Sequence, residues 1–105
     1  MIIYNVTINI DADVHDEWLK WMLEKHIPDV LATGLFLESR ISRMLIEEEG
    51  DGITYSIQYT LESMEKMDEY EKNHAPQLKA DVLNKYDGKF GAFRTKMEVV
   101  GVVKP

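Results

Sequence analysis

Cysteine is absent from this chain of 105 residues, which removes disulfides, thiolate nucleophiles, iron–sulfur clusters and thiolate zinc sites together. A fold without staples rests on its apolar core. At 45% hydrophobic content a chain of this length buries roughly two thirds of its unfolded surface, so one domain spanning residues 1–105 is expected. Long hydrophobic runs are missing too: no stretch approaches the roughly 18–20 apolar residues of a membrane span, and no membrane partner is expected. The first residues carry no basic leader, and Asn5, Thr7 and Asn9 interrupt their apolar run, which reads as a cytoplasmic protein. Basic residues are scarce. Twelve against nineteen acidic ones give a net charge of -7, which opposes approach to a phosphate backbone, so nucleic acid is not an expected partner.

Proline is nearly absent, and its placement is informative. Of three prolines, two sit in His26-Ile27-Pro28 and His74-Ala75-Pro76, one motif in each half. The strands that precede them match as well: Ile2, Tyr4, Val6, Ile8 and Ile10 align with Ile53, Tyr55, Ile57, Tyr59 and Leu61, with small polar residues alternating in both copies. The chain therefore reads as a doubled strand-helix-strand unit with a shorter strand-to-helix connection in the second half.

Strict alternation predicts a strand over residues 2–10, one side apolar and the other carrying Asn5, Thr7 and Asn9. Asp11 and Asp13 offer acceptors for a helix N-terminus near Val14, and Asp16 and Glu17 complement its dipole. Helical spacing gathers Val14, Trp18, Leu19, Trp21, Met22 and His26 on one face. Pro28 predicts a stop near His26 and a short second turn through Leu31 that Gly34 ends. Residues 35–47 are strand-like but mixed in pattern, the acidic residues 47–52 turn on their glycines, and residues 53–60 alternate strictly again. Thr60 or Ser63 can cap a second helix bearing Leu61, Met64, Met67, Tyr70 and His74, which Pro76 interrupts and residues 77–86 resume, with Gly88 as stop. A last strand is expected over residues 90–103.

The order βαββαβ with right-handed crossovers predicts an α+β, ferredoxin-like fold: a four-stranded antiparallel sheet with helices on one face. Its other face would present Asn5, Thr7, Asn9, Thr54, Ser56, Gln58 and Thr60, joined by Glu38, Arg40, Arg94 and Lys96. Ile3, Val100 and Val102 in the same registers suit a second sheet stacking against it, so a homodimer through facing sheets is expected.

The segments Tyr4-Asn5-Val6-Thr7, Trp18-Leu19-Lys20-Trp21-Met22, His26-Ile27-Pro28, Thr33-Gly34-Leu35-Phe36, Thr54-Tyr55-Ser56-Ile57-Gln58-Tyr59 and Phe93-Arg94-Thr95 resemble, nearly end to end, a bacterial family of short proteins of unknown function. That family is similar in fold to the dimeric α/β-barrel superfamily. The superfamily includes cofactor-independent monooxygenases of antibiotic biosynthesis, muconolactone isomerases and haem-binding relatives of chlorite dismutase, with ligands commonly between helices and sheet. The resemblance implies a fold and a dimer. It supplies no catalytic residue, and a cofactor-free oxidation or isomerisation is implied by fold analogy alone.

Trp18, Trp21, Met22 and His26 on one helix face, with Phe36, Tyr55 and Tyr59, are the candidate lining of a pocket for a small, partly aromatic or apolar molecule, with His26 as general base or hydrogen-bond donor. The same tryptophans and methionine also suit plain burial against a sheet, and His26 can equally serve the carbonyls that Pro28 frees. His74, without tryptophans beside it, favours that helix-ending role. No metal site is expected from His26, His74 and a carboxylate, because the repeat puts the two histidines on different helices. The acidic turn lacks the spacing of a calcium loop. Arg40 and Arg94 can receive an anion, or pair with Glu38 or Glu98 across strands. No nucleophile with an oriented base is present, no cofactor is implied, and the catalytic residues stay unassigned. The alternative to a small-molecule binder is a structural or regulatory interaction module whose dimer surface is its working part.

Overall fold

In the computed structural model, residues 1–45, 50 and 52–105 are described. Apart from Gly50 and Gly52, the expected acidic turn falls outside them. Four strands, β1 (Ile2–Asp11), β2 (Glu38–Arg43), β3 (Gly52–Leu61) and β4 (Phe90–Glu98), form one sheet in the order β2-β3-β1-β4. All neighbours are antiparallel. With its helices on one face this is the ferredoxin-like α+β fold.

The strict alternation of β1 and β3 has its cause in the register. Ile2 pairs with Leu61, Tyr4 with Tyr59, Val6 with Ile57, Ile8 with Tyr55 and Ile10 with Ile53, so the two apolar sets share one side of the sheet. Most of them are buried under the helices. The polar sets share the other side and satisfy one another there: Ser56 Oγ donates to Asn5 Oδ1 at 2.6 Å, and Asn9 Nδ2 donates to Thr54 Oγ1 at 3.0 Å.

Residues 12–31 form one helical run: a 3₁₀ turn (Ala12–Val14), α1 (His15–Trp21), a π-helical turn (Met22–His26) and α2 (Ile27–Leu31). The expected stop near His26 does not occur. Pro28 has no N–H and its ring crowds the carbonyl one turn back. The chain absorbs both by widening into the π turn rather than ending, and His26 keeps helical angles of φ -68° and ψ -52°. The run closes where expected, with Gly34 at φ +79°. Asp11 makes no side-chain cap, and the Asp13 carboxylate goes instead to Lys89 Nζ at 2.9 Å. In the second half, α3 (Met64–Asn73) is capped by Ser63, whose Oγ accepts from the Lys66 N–H. His74, at φ -127°, does interrupt the helix, and α4 (Ala75–Tyr86) resumes with proline in its first turn.

The edges depart from expectation. β2 begins at Glu38, so Phe36 lies before the strand, inside the core. β4 stops at Glu98 rather than Val103: its ladder with β1 ends at the pair Ile2 and Glu98, Val99 N–H bonds the Met1 carbonyl at 2.9 Å, and residues 100–105 run on exposed. Arg94 and Lys96 are not on the open face. They pair with Val6 and Tyr4, whose side chains point to the helices, and Lys96 Nζ makes an ion pair with Glu71 of α3.

Candidate functional site

Where α4 faces β4, the helical layer stands off the sheet. Ala92 and Arg94 are on the helix-facing side of β4 yet remain exposed, and a cavity of about 40 Å³ opens there. Its floor is Tyr4, Val6 and Ile8 of β1 with Ile57 and Tyr59 of β3. One wall is Met22 and His26 from the π turn, another is Leu78, Lys79 and Val82 of α4, and Phe90, Ala92 and Arg94 of β4 close the rim; Tyr70 reaches in from α3. The volume holds a few water molecules, so an aromatic ring enters only as the long side chains at the mouth swing aside.

The polar groups facing this space have defined states. Tyr4, Tyr59 and Tyr70 form a cluster with ring centroids 5.9 Å (Tyr4 to Tyr59) and 6.0 Å (Tyr4 to Tyr70) apart. Burial pushes the pKa of each above the usual phenol value, and for Tyr59 and Tyr70 the neighbouring phenols push the same way. For Tyr4 the Arg94 guanidinium opposes the shift. All three stay protonated near neutrality. His26 is half-buried and stacked on Trp21 at 5.1 Å. Burial lowers its pKa, Asp29 and Asp81 partly offset that, and Arg94 adds to it, so its imidazole is neutral near pH 7.

Of the seven residues singled out in the sequence, Met22, His26 and Tyr59 line this cavity. Trp21 stands behind His26, half-buried, with its ring edge-on to Tyr86 at 5.7 Å. Phe36 packs into the core against Tyr59 and Tyr70. Trp18 is wholly buried, 5.1 Å from the ring of Tyr55, and its Nε1 has no acceptor among the described residues.

Tyr55 belongs to a second arrangement that sequence reasoning missed. His15, 7% exposed, places Nε2 2.6 Å from the Tyr55 hydroxyl and Nδ1 2.8 Å from Asp16 Oδ1. Arg43 donates to the same hydroxyl from Nε and a terminal nitrogen, at 3.2 and 3.0 Å. The network assigns the tautomer: Nδ1–H donates to Asp16, Nε2 accepts from Tyr55 O–H, and Tyr55 Oη accepts from Arg43. This chain of bonds ties α1 to β3 and β2. The signal available in the sequence was His15-Asp16 directly after β1, in a register that brings it over Tyr55. For the cavity, Lys79 and Tyr70 were among the omissions, and Arg94, expected as an anion receiver on the open face, lines the cavity on the other face; the register of Phe90, Ala92 and Arg94 was the clue. Among the described residues no three His, Asp or Glu side chains gather as a metal-binding group, and no helix is long and apolar enough to cross a membrane.

Residues 1–100 match the family described as a domain of unknown function, DUF4286. No curated protein sequence matches the chain. Among solved structures, a point mutant of MhuD holding two manganese protoporphyrin IX molecules per active site is 21% identical, with TM-score 0.70 and complete coverage of both chains. A candidate antibiotic-biosynthesis monooxygenase from Deinococcus radiodurans is 14% identical, with TM-score 0.70, covering 100% of this chain and 98% of its own. A protein from an uncultured marine organism, described as dimeric and ferredoxin-like, is 13% identical, with TM-score 0.66 and full coverage of both chains.

Proposed function

The chain belongs to the DUF4286 family, a domain of unknown function, and from that premise we propose that it binds a small, partly aromatic or apolar molecule in the cleft between α4 and β4, as a homodimer whose sheets face one another. The observation that carries the reading is the gap itself: an apolar floor under Met22 and His26, left uncovered along β4. A π turn contributing two residues to the wall supports it, since such turns recur at functional sites. The dimer draws support from the fold shared with a protein described as dimeric and from Phe93, 64% exposed on the open face.

The protoporphyrin of the MhuD structure does not fit these residues. Even drug-sized ligands occupy pockets of about 300–1,000 Å³, against about 40 Å³ here, and Tyr59, Tyr70 and Phe36 fill the space behind with packed rings. No carboxylate among the described residues lines the cleft, and the reading is one of binding, with no reaction assigned.

Protein labelled with ¹³C at the methionine methyl groups and titrated with p-cresol tests it. The Met22 methyl should shift saturably while that of exposed Met64 stays put, and Ala92→Phe, which fills the cleft from an exposed position, should abolish the Met22 shift. No saturable response at Met22, or an equal one at Met64, overturns the proposal and leaves the dimer surface as the working part.

A further inference from the structure

We propose that the occupant of the cleft is an apolar carboxylate, whose anionic end is received by Arg94 and Lys79 at the mouth while its body lies on the β1 and β3 floor. The inference rests on the binding reading above and adds the chemical class of ligand.

The distribution of charge carries it. Nineteen acidic residues outnumber twelve basic ones in the chain, yet among the described residues the cleft wall contains Arg94 and Lys79 and no aspartate or glutamate. Among the described residues, five of the twelve basic side chains (Lys25, Lys66, Lys85, Lys89 and Lys96) lie within ion-pair distance of a carboxylate; Arg94 and Lys79 belong to the seven that do not, and they are the two of those seven that line the cleft. Glu98 lies on the same strand as Arg94, at its far end opposite Ile2, whereas Arg94 sits opposite Val6.

The acids nearest the cleft are engaged elsewhere. Asp29 pairs with Lys25 at 3.0 Å, Asp81 accepts from Gln77 Nε2 at 2.9 Å, and Glu71 pairs with Lys96. The groups that share the space with Arg94 are then neutral ones: the His26 imidazole and the hydroxyls of Tyr4, Tyr59 and Tyr70. The Arg94 guanidinium lies near enough to the Tyr4 phenol to oppose the rise of its pKa, and its planar fork of N–H groups suits a bidentate oxyanion. Lys79 adds a mobile ammonium from the opposite wall. Two unpaired cations beside low-dielectric walls make a local positive spot on an otherwise acidic surface, and such a spot attracts an anion more strongly than the net charge implies.

The same methionine-methyl assay separates this inference from the binding reading when benzoate is compared with benzamide, its neutral counterpart of nearly equal shape. Benzoate should bind at least about tenfold more tightly, and its affinity alone should fall as salt is raised. Arg94→Gln and Lys79→Gln, both at exposed positions, should each narrow the gap, and together should bring the two ligands to within about twofold, the residual expected once charge is removed. If benzamide binds as tightly as benzoate, or if the variants weaken both alike, the carboxylate inference is overturned while the cleft reading survives. If neither compound moves the Met22 methyl of folded protein, both fall together.

Discussion

Tyr55→Phe isolates a buried side-chain network that joins the first helix to β2 and β3. The substitution removes a single oxygen and keeps the ring that packs 5.1 Å from Trp18 and stacks 5.6 Å from His15, so no sizeable cavity forms. The loss is polar. Tyr55 is 3% exposed and His15 7%; without the hydroxyl, Nε2 of His15 loses its 2.6 Å donor in a place water does not reach. Orphaning a buried acceptor costs about 1–3 kcal/mol. Arg43 is exposed and rehydrates, so its two bonds add little. The expected loss is about 2 kcal/mol, or a fall in Tm of about 8 °C for a chain of this length. Urea unfolding at pH 7.5, with an unchanged m-value, reads it directly.

The double-mutant cycle sharpens the test. His15→Phe with Tyr55→Phe replaces both polar partners by rings, and removing both ends of a buried hydrogen bond costs much less than stranding one. The double variant should therefore be more stable than the sum of the singles predicts, by about 1 kcal/mol or more. A loss below about 0.5 kcal/mol for Tyr55→Phe, or strict additivity in the cycle, refutes the claim that this network holds α1 to the sheet.

His26 makes stability depend on pH in a stated direction. Burial lowers its pKa from 6.5 in spite of Asp29 and Asp81, so the unfolded chain binds the proton more readily. The neutral ring's contribution is complete above about pH 6.5 and is lost as pH falls from there through the lower folded value, with a slope of at most about 1.4 kcal/mol per pH unit for one proton. His26→Asn should flatten that part of the stability curve relative to the parent; an unchanged difference between the two proteins from pH 7 to pH 5 contradicts the assignment. Phe93→Glu tests the facing sheets: wild type should scatter light as a dimer at micromolar concentration, and the variant, which puts a charge on the open face at a position costing the monomer little, as a folded monomer. A wild-type monomer, or an undisturbed dimer in the variant, removes that interface.

β1 and β3 were legible because period-two patterning survives wherever one face of a strand is buried and the other is wet, and both have buried tyrosines and aliphatics in one register and Asn, Ser and Thr in the other. The helices were legible by their spacing, but His26-Ile27-Pro28 and His74-Ala75-Pro76 led to different backbones, a widened turn in one half and a break in the other. Proline denies a helix one hydrogen bond and leaves the surrounding packing to decide whether the chain widens or stops. β4 was the least legible strand. Phe90, Ala92, Arg94, Lys96 and Glu98 share its helix-facing side, a sequence with no apolar stripe because α4 does not cover it. Patterning records contact with the core, so it fails where the inner face of a sheet meets solvent instead. That failure has the same physical origin as the cleft: the strand whose inward residues could not be read from hydrophobicity is the one that brings an arginine, rather than another aliphatic side chain, to the edge of the tyrosine cluster, and the uncovered strand and the candidate site are one feature of the fold.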